Sequence, residues 1–210
     1  MIGFYNYTVI LTYISLLISS LGIGFAMSGC PFEAVLCLLA SGVCDMFDGK
    51  IARTRHKSTD EERRFGIQID SLCDIVCFGV LPAAICISLT SDGGISRYIA
   101  FALGALLILC GLIRLAYFNV TEETRQSSES GRRTHYAGLP ITSSAIIFPF
   151  ALAMSYLVGA WVYGAFALLT AILFVAPIRV PKPHGLSLVG MGLLGFGVLA
   201  LLIFVRFGLS

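Results

Sequence analysis

Cys44-Asp45-Met46-Phe47-Asp48-Gly49-Lys50-Ile51-Ala52-Arg53 and, beyond a basic connection, Gly66-Ile67-Gln68-Ile69-Asp70-Ser71-Leu72-Cys73-Asp74 set four aspartates into otherwise apolar sequence. A carboxylate at the centre of a membrane helix costs roughly 2.5 to 3.5 kcal/mol, so four facing lipid would cost on the order of 10 kcal/mol. They must therefore face one another, water or bound cations. A divalent metal site inside a membrane protein is the most economical reading.

The rest of the chain agrees with a membrane setting. Hydrophobic residues make up 57% of the 210 and charged residues 12%, where a soluble domain carries about 25% charge. Apolar stretches near bilayer length recur throughout. Seven spans are predicted, at about 8–28, 32–54, 66–90, 95–119, 138–158, 161–177 and 186–206. Gly29-Cys30-Pro31, Ser91-Asp92-Gly93-Gly94, the hydrophilic stretch 121–136, and Pro177 to Gly185 punctuate them. The expected architecture is an all-α polytopic bundle in a single unit over residues 1–210. The start of the chain lacks a basic n-region, so the first apolar run is expected to be a retained span. A net charge of +2 gives no support to a nucleic-acid partner. The seven cysteines are odd in number and form no CxxC pair, which predicts free, small apolar side chains.

Basic residues give an orientation. Lys50, Arg53, Arg55, Lys57, Arg63 and Arg64 flank the second connection, Arg114, Arg125, Arg132 and Arg133 the fourth, and Arg179 and Lys182 the sixth. Alternate connections share one side of the membrane, expected to be cytoplasmic. Only Arg97 and Arg206 remain for the other face. The N-terminus is then cytoplasmic and the C-terminus outside.

An α-helix advances about 100° per residue. Asp45, Asp48, Gly49 and Ala52 thus share one face of the second span, and Gly66, Asp70 and Asp74 one face of the third. Two antiparallel helices would bring the four carboxylates together near the cytoplasmic end. Hard oxygen donors suit Mg²⁺, Mn²⁺ or Ca²⁺, and a pair of such ions suits a pyrophosphate. Gly49, Gly66 and Ala52 keep the faces shallow, and Arg53 can pair with a phosphate. A lone aspartate at a span end can be merely solvated or cap the next helix. Four at these spacings, with interleaved glycines, do not fit that reading. A cation-coupled transporter also uses intramembrane acids, but its sites lie near the midplane.

These residues resemble the signature of the CDP-alcohol phosphatidyltransferases, D-x-x-D-G-x-x-A-R…G-x-x-x-D-x-x-x-D, with every fixed position present. The stretch between Arg53 and Gly66 is longer than is common in that family. A hydroxyl residue often precedes the Phe-Gly pair; Arg63 stands there, with Ser58 and Thr59 as alternatives. The resemblance implies six core transmembrane helices, leaving the seventh as an addition. It also implies a homodimer in the cell membrane and transfer of a phosphatidyl group from a CDP-linked lipid to an alcohol. Asp45, Asp48, Asp70 and Asp74 would hold two divalent cations, Mg²⁺ or Mn²⁺, and Asp74 would also act as base. Asp45, Gly49, Ala52, Arg53 and Gly66 would line the CDP-diacylglycerol site.

Further stretches resemble the phosphatidylserine synthase branch: Phe78-Gly79-Val80-Leu81-Pro82-Ala83, Arg114-Leu115-Ala116-Tyr117-Phe118-Asn119 and Gly138-Leu139-Pro140. Tyr117 departs from it, since a basic residue is common there. Serine as acceptor needs a cation for its carboxylate and an oxygen for its ammonium, and Arg114 and Asn119 are the candidates. Snorkelling to lipid phosphates is the plainer role for Arg114, and helix capping for Asn119. Glycerol phosphate or an inositol derivative is the alternative acceptor, although a phosphorylated one calls for several clustered cations.

Overall fold

The computed structural model describes Gly3 and residues 9–52, 59–90, 95–128, 135–181 and 186–208, with side chains described for Gly3, 9–48, 59–90, 96–124, 138–178 and 190–208. Helices α1 (Ile10–Met27) and α2 (Pro31–Ala52) form an antiparallel pair. Gly29, at φ +76°, makes the turn between them. Its N–H bonds the Ala26 carbonyl at 3.0 Å and the Cys30 N–H bonds that of Phe25 at 2.9 Å, the pattern of a Schellman cap. Pro31 then opens α2, where a missing N–H costs nothing. The pair is close: a Cβ on Gly22 would stand 2.8 Å from the Cys37 Cβ.

The third rod is continuous over Asp60–Ser88. It comprises α3 (Asp60–Ile75), a π-helical turn (Val76–Val80) and α4 (Leu81–Ser88). It begins six residues ahead of the expected start at 66. Thr59 and Glu62 close a reciprocal capping box, at 3.0 and 3.2 Å, and Asp60, Glu61 and Glu62 fill the first turn. That terminus is favourable enough to carry the helix into polar sequence. The Thr59 hydroxyl is thereby committed to the Glu62 N–H; Ser58 lies outside the described residues.

Helix α5 (Ile95–Ser128) has 34 residues, about 51 Å at 1.5 Å each, against a hydrocarbon thickness of about 30 Å. It therefore runs past the expected break at 119–121. The Thr121 and Thr124 hydroxyls donate to the carbonyls of Tyr117 and Val120, four residues back, at 2.8 and 2.9 Å. Arg64 of α3 reaches Glu123 at 3.6 Å. The two polar extensions stand side by side at one end of the bundle.

After α5 come strand β1 (His135–Ala137), a 3₁₀ turn (Ile141–Ser143), α6 (Ser144–Val158), α7 (Trp161–Val175), strand β2 (Arg179–Pro181) and α8 (Leu186–Gly208). The strands pair antiparallel, Tyr136 opposite Val180, in a ribbon of three residues a side. Gly138 has φ +78°, and a Cβ there would meet the Phe174 carbonyl oxygen at 2.6 Å. Its N–H bonds Ile178 O at 2.8 Å and the Leu139 N–H bonds Leu173 O at 3.1 Å. Gly138-Leu139-Pro140 thus fastens the entry of α6 to the exit of α7, and only glycine fits.

Seven helical rods are present among the described residues, and five are long and apolar enough to cross a membrane. Of the other two, α2 is long enough at 22 residues but carries Glu33, Asp45 and Asp48, and α7 is apolar but has only 15 residues. This is an all-α polytopic membrane bundle, with the short ribbon as a clasp between two connections. The core joins Leu38, Phe78, Leu81, Ile85, Leu107, Ile141, Phe148, Leu152 and Phe174. Fully buried Tyr163 donates its hydroxyl to Pro82 O at 3.3 Å. The seventh rod, α8, packs on α6 and buries Leu202 and Val205, with Phe207 edge-on to Phe32 at 5.6 Å. All seven cysteines are free, and Cys73, Cys77, Cys86 and Cys110 are buried.

Candidate metal and lipid-phosphate site

Asp45 comes from the last part of α2, Asp70 and Asp74 from successive turns of α3. One carboxylate oxygen from each lies within 4.8 Å of the others. Asp48, one turn after Asp45, is within hydrogen-bond reach of Asp70. The four predicted acids therefore meet, and all are only part-buried. Donors about 2.1 Å from one Mg²⁺ stand no more than about 4.2 Å apart. The spread of the three oxygens is close to that limit, and a bound cation would relieve the mutual repulsion of a set of hard carboxylates. The donor set fits divalent cations.

Arg114 enters from α5, 9% exposed, its guanidinium carbon 5.3 Å from the Phe118 ring centroid. Its charge acts on Asp45 and Asp74, so the guanidinium belongs to the acidic cluster. Asn119, one turn nearer the end of α5, donates from Nδ2 to Ser71 Oγ at 2.9 Å. It thus holds α5 against the residue next to Asp70.

Gly66 lies one turn ahead of Asp70, and among the described residues no atom beyond its own turn of helix stands within 4 Å of where its Cβ would be. That open space suits a bulky ligand beside the acids. Gly49 and Ala52 fall on the described backbone of α2, one turn beyond Asp45 and Asp48, but Ala52's side chain is not among those described. Arg53 lies outside the described residues.

Sequence reasoning passed over three groups. Ser71, which the motif leaves as a variable position, is the partner of Asn119. Ser144 has a fully buried Oγ with no hydrogen-bond partner among the described residues. Its neighbour Ala145 abuts Gly42, three residues before Asp45. Ile141, one turn earlier, and Ile75, beside Asp74, both abut Gly111, three residues before Arg114. Ser15, Ser19 and Ser41 form a buried hydroxyl cluster between α1 and α2. Hydroxyls one turn apart in an apolar span are the signal that could have found them.

A family model described as CDP-alcohol phosphatidyltransferase matches residues 5–176. The chain belongs to that family. The match spans the whole acidic cluster, together with Arg114, Asn119 and Ser144. The chain is 36% identical over 138 residues to the CDP-diacylglycerol–serine O-phosphatidyltransferase of Saccharomyces cerevisiae, covering 64% of this chain and 46% of that protein. It is 30% identical over 178 residues to the archaetidylserine synthase of Methanothermobacter thermautotrophicus, covering 83% and 66%. A CDP-diacylglycerol–serine O-phosphatidyltransferase of Helicobacter pylori is 29% identical over 184 residues, covering 85% and 73%. The chain thus spans about half to two thirds of the length of the first two relatives. Family membership leaves the cation-coupled transport reading without support.

Proposed function

We propose that this protein transfers a phosphatidyl group from CDP-diacylglycerol to the hydroxyl of L-serine, forming phosphatidylserine and releasing CMP. The observation that carries the reading is the meeting of Asp45, Asp70 and Asp74 within 4.8 Å in a chain of the CDP-alcohol phosphatidyltransferase family. Serine is the element shared by the names of all three relatives described above. The archaeal name carries a different lipid, so the acceptor is better supported than the donor's tails.

Asp45, Asp48, Asp70 and Asp74 would hold two divalent cations, Mg²⁺ or Mn²⁺, whose chemistry is to offset the charge gathering on the pyrophosphate. The small face of Gly49, Ala52 and Gly66 admits the CDP-diacylglycerol head, and Arg53 pairs with a phosphate oxygen. Arg114 binds the serine carboxylate. Asn119 orients that end of α5 through Ser71, and the buried Ser144 hydroxyl offers a polar contact to the acceptor. The serine oxygen attacks the phosphorus that bears the diacylglycerol. The new P–O bond forms as the bond to CMP breaks; the serine proton passes to Asp74, and CMP carries away the bonding pair. Donor and acceptor share one cleft, so no covalent enzyme intermediate is required.

The enzyme works as one unit of the cell membrane with its cleft towards the cytoplasm. The Lys and Arg of alternate connections support that orientation. A homodimer is the assembly its family resemblance implies, testable by crosslinking in native membranes. The reaction is tested by CMP release from CDP-diacylglycerol: it should require both serine and a divalent cation. Release independent of serine would count against the transfer.

A further inference from the structure

We propose that a buried seam of Ser15, Ser19, Ser41 and Cys77 sets the spacing of the two carboxylate-bearing helices and so tunes the affinity of Asp45 and Asp74 for divalent cations. This rests on the metal reading above and extends it to positioning residues on a helix, α1, that contributes no acid.

Helix α1 buries Thr12, Ser15 and Ser19 within an apolar span. Buried hydroxyls are retained at low cost only when hydrogen-bonded. The Ser19 and Ser41 hydroxyls lie 2.7 Å apart. Ser41 Oγ donates to the Ser15 carbonyl at 3.1 Å, and Ser15 Oγ donates back to the Ser41 carbonyl at 3.4 Å. Ser15 Oγ also lies 3.5 Å from Cys77 Sγ. One proton arrangement satisfies the whole set. Ser19 donates to Ser41 Oγ, Ser41 to Ser15 O, Ser15 to Ser41 O, and Cys77 to Ser15 Oγ. Each O–H and S–H is then used once.

The placement ties the seam to the site. Ser41 is four residues before Asp45, so its carbonyl is the helical acceptor of the Asp45 N–H. Ser15 Oγ therefore shares that carbonyl with the backbone of a carboxylate residue. Cys77 is three residues after Asp74, on the same side of the third rod. It lies in the π turn, where the Leu81 N–H bonds Val76 O five residues back. A π turn is a poor local solution that tertiary contacts must hold, and such turns are frequent at functional sites. Helix α1 thus grips α2 one turn below Asp45 and the rod of α3 one turn below Asp74.

The test is binding of Mn²⁺ alone to the purified full chain in detergent, read from the spin-resonance signal of free Mn²⁺, beside thermal unfolding without metal. Ser15→Ala and Cys77→Ala should weaken binding about three- to tenfold, the size expected of one or two lost interhelical hydrogen bonds. Cys77→Ser, which keeps a donor and acceptor, should bind within about twofold of the native chain by the same reasoning. Ser41→Ala should have the largest effect; if it does not fold, the Cys77 pair carries the test. Native protein that binds Mn²⁺, with folded Ser15→Ala and Cys77→Ala binding equally well, would overturn the seam alone. Lower melting temperature with unchanged Mn²⁺ affinity would do the same, showing mere helix adhesion. Native protein that binds no Mn²⁺ would overturn the metal reading and the seam with it.

Discussion

Asn119 of α5 donates to Ser71 of α3 across 2.9 Å, one residue from Asp70. This bond couples the helix bearing the cation Arg114 to the helix bearing two of the acids. Removing either partner strands the other in a part-buried site. Asn119→Ala and Ser71→Ala should each destabilise the protein by about 0.5 to 1.5 kcal/mol, and the double variant by little more than the larger single one. Thermal unfolding in detergent measures this. Additive effects would show that the pair does not act as a unit.

The acidic cluster should be required as a whole. Asp45→Ala, Asp48→Ala and Asp70→Ala should each abolish turnover and weaken divalent-ion binding. A chelator should silence the native enzyme, and added Mg²⁺ or Mn²⁺ should restore it. Near-native activity of any one variant at ordinary metal concentration would remove that residue from the ligand set.

Asp74 separates chemistry from binding. Asp74→Asn keeps the shape and loses the base, so turnover should fall by roughly two to four orders of magnitude. CDP-diacylglycerol should still bind, as equilibrium binding of the labelled lipid can show. Unchanged turnover would exclude Asp74 as base, whereas loss of lipid binding would make it chiefly a metal ligand.

Orientation is open to direct labelling. In a cysteine-free background, an impermeant thiol reagent on intact cells should modify a cysteine placed at Asp92 and spare one at Glu129. Both positions lie outside the described residues, so the expectation rests on the distribution of Lys and Arg. The reverse pattern would turn the cleft away from the cytoplasm.

Much of this was legible because charge in an apolar span has few explanations. The spacing of Asp45, Asp48, Asp70 and Asp74 foretold two facing helices, and the four do meet. The ends of the rods were less legible. Polar sequence around Thr121 and Thr124 reads as a loop, yet both hydroxyls fold back onto their own helix, and Glu123 finds Arg64. Composition cannot register those bonds. The three-residue ribbon is too short for any periodicity. The π turn after Asp74 and the Ser71–Asn119 bond arise only once distant segments pack. Gly138-Leu139-Pro140 was read through its likeness to the serine branch. Its described role is structural, a positive φ wedged against the Phe174 carbonyl.

The central claim is the acceptor. Losing a charge-assisted hydrogen bond costs about 1.5 to 3 kcal/mol, roughly 10- to 100-fold. Arg114→Gln should therefore raise the KM for serine by that factor and disturb CDP-diacylglycerol less. The most direct measurement is mass-spectrometric identification of the lipid made by the purified protein from CDP-diacylglycerol and Mn²⁺. Serine, ethanolamine, glycerol 3-phosphate and an inositol compound would each be offered alone. Phosphatidylserine should form with an equal amount of CMP, and ethanolamine, which lacks the carboxylate, should be a poor acceptor. Product from glycerol 3-phosphate or inositol but none from serine would contradict the account and leave only the family standing.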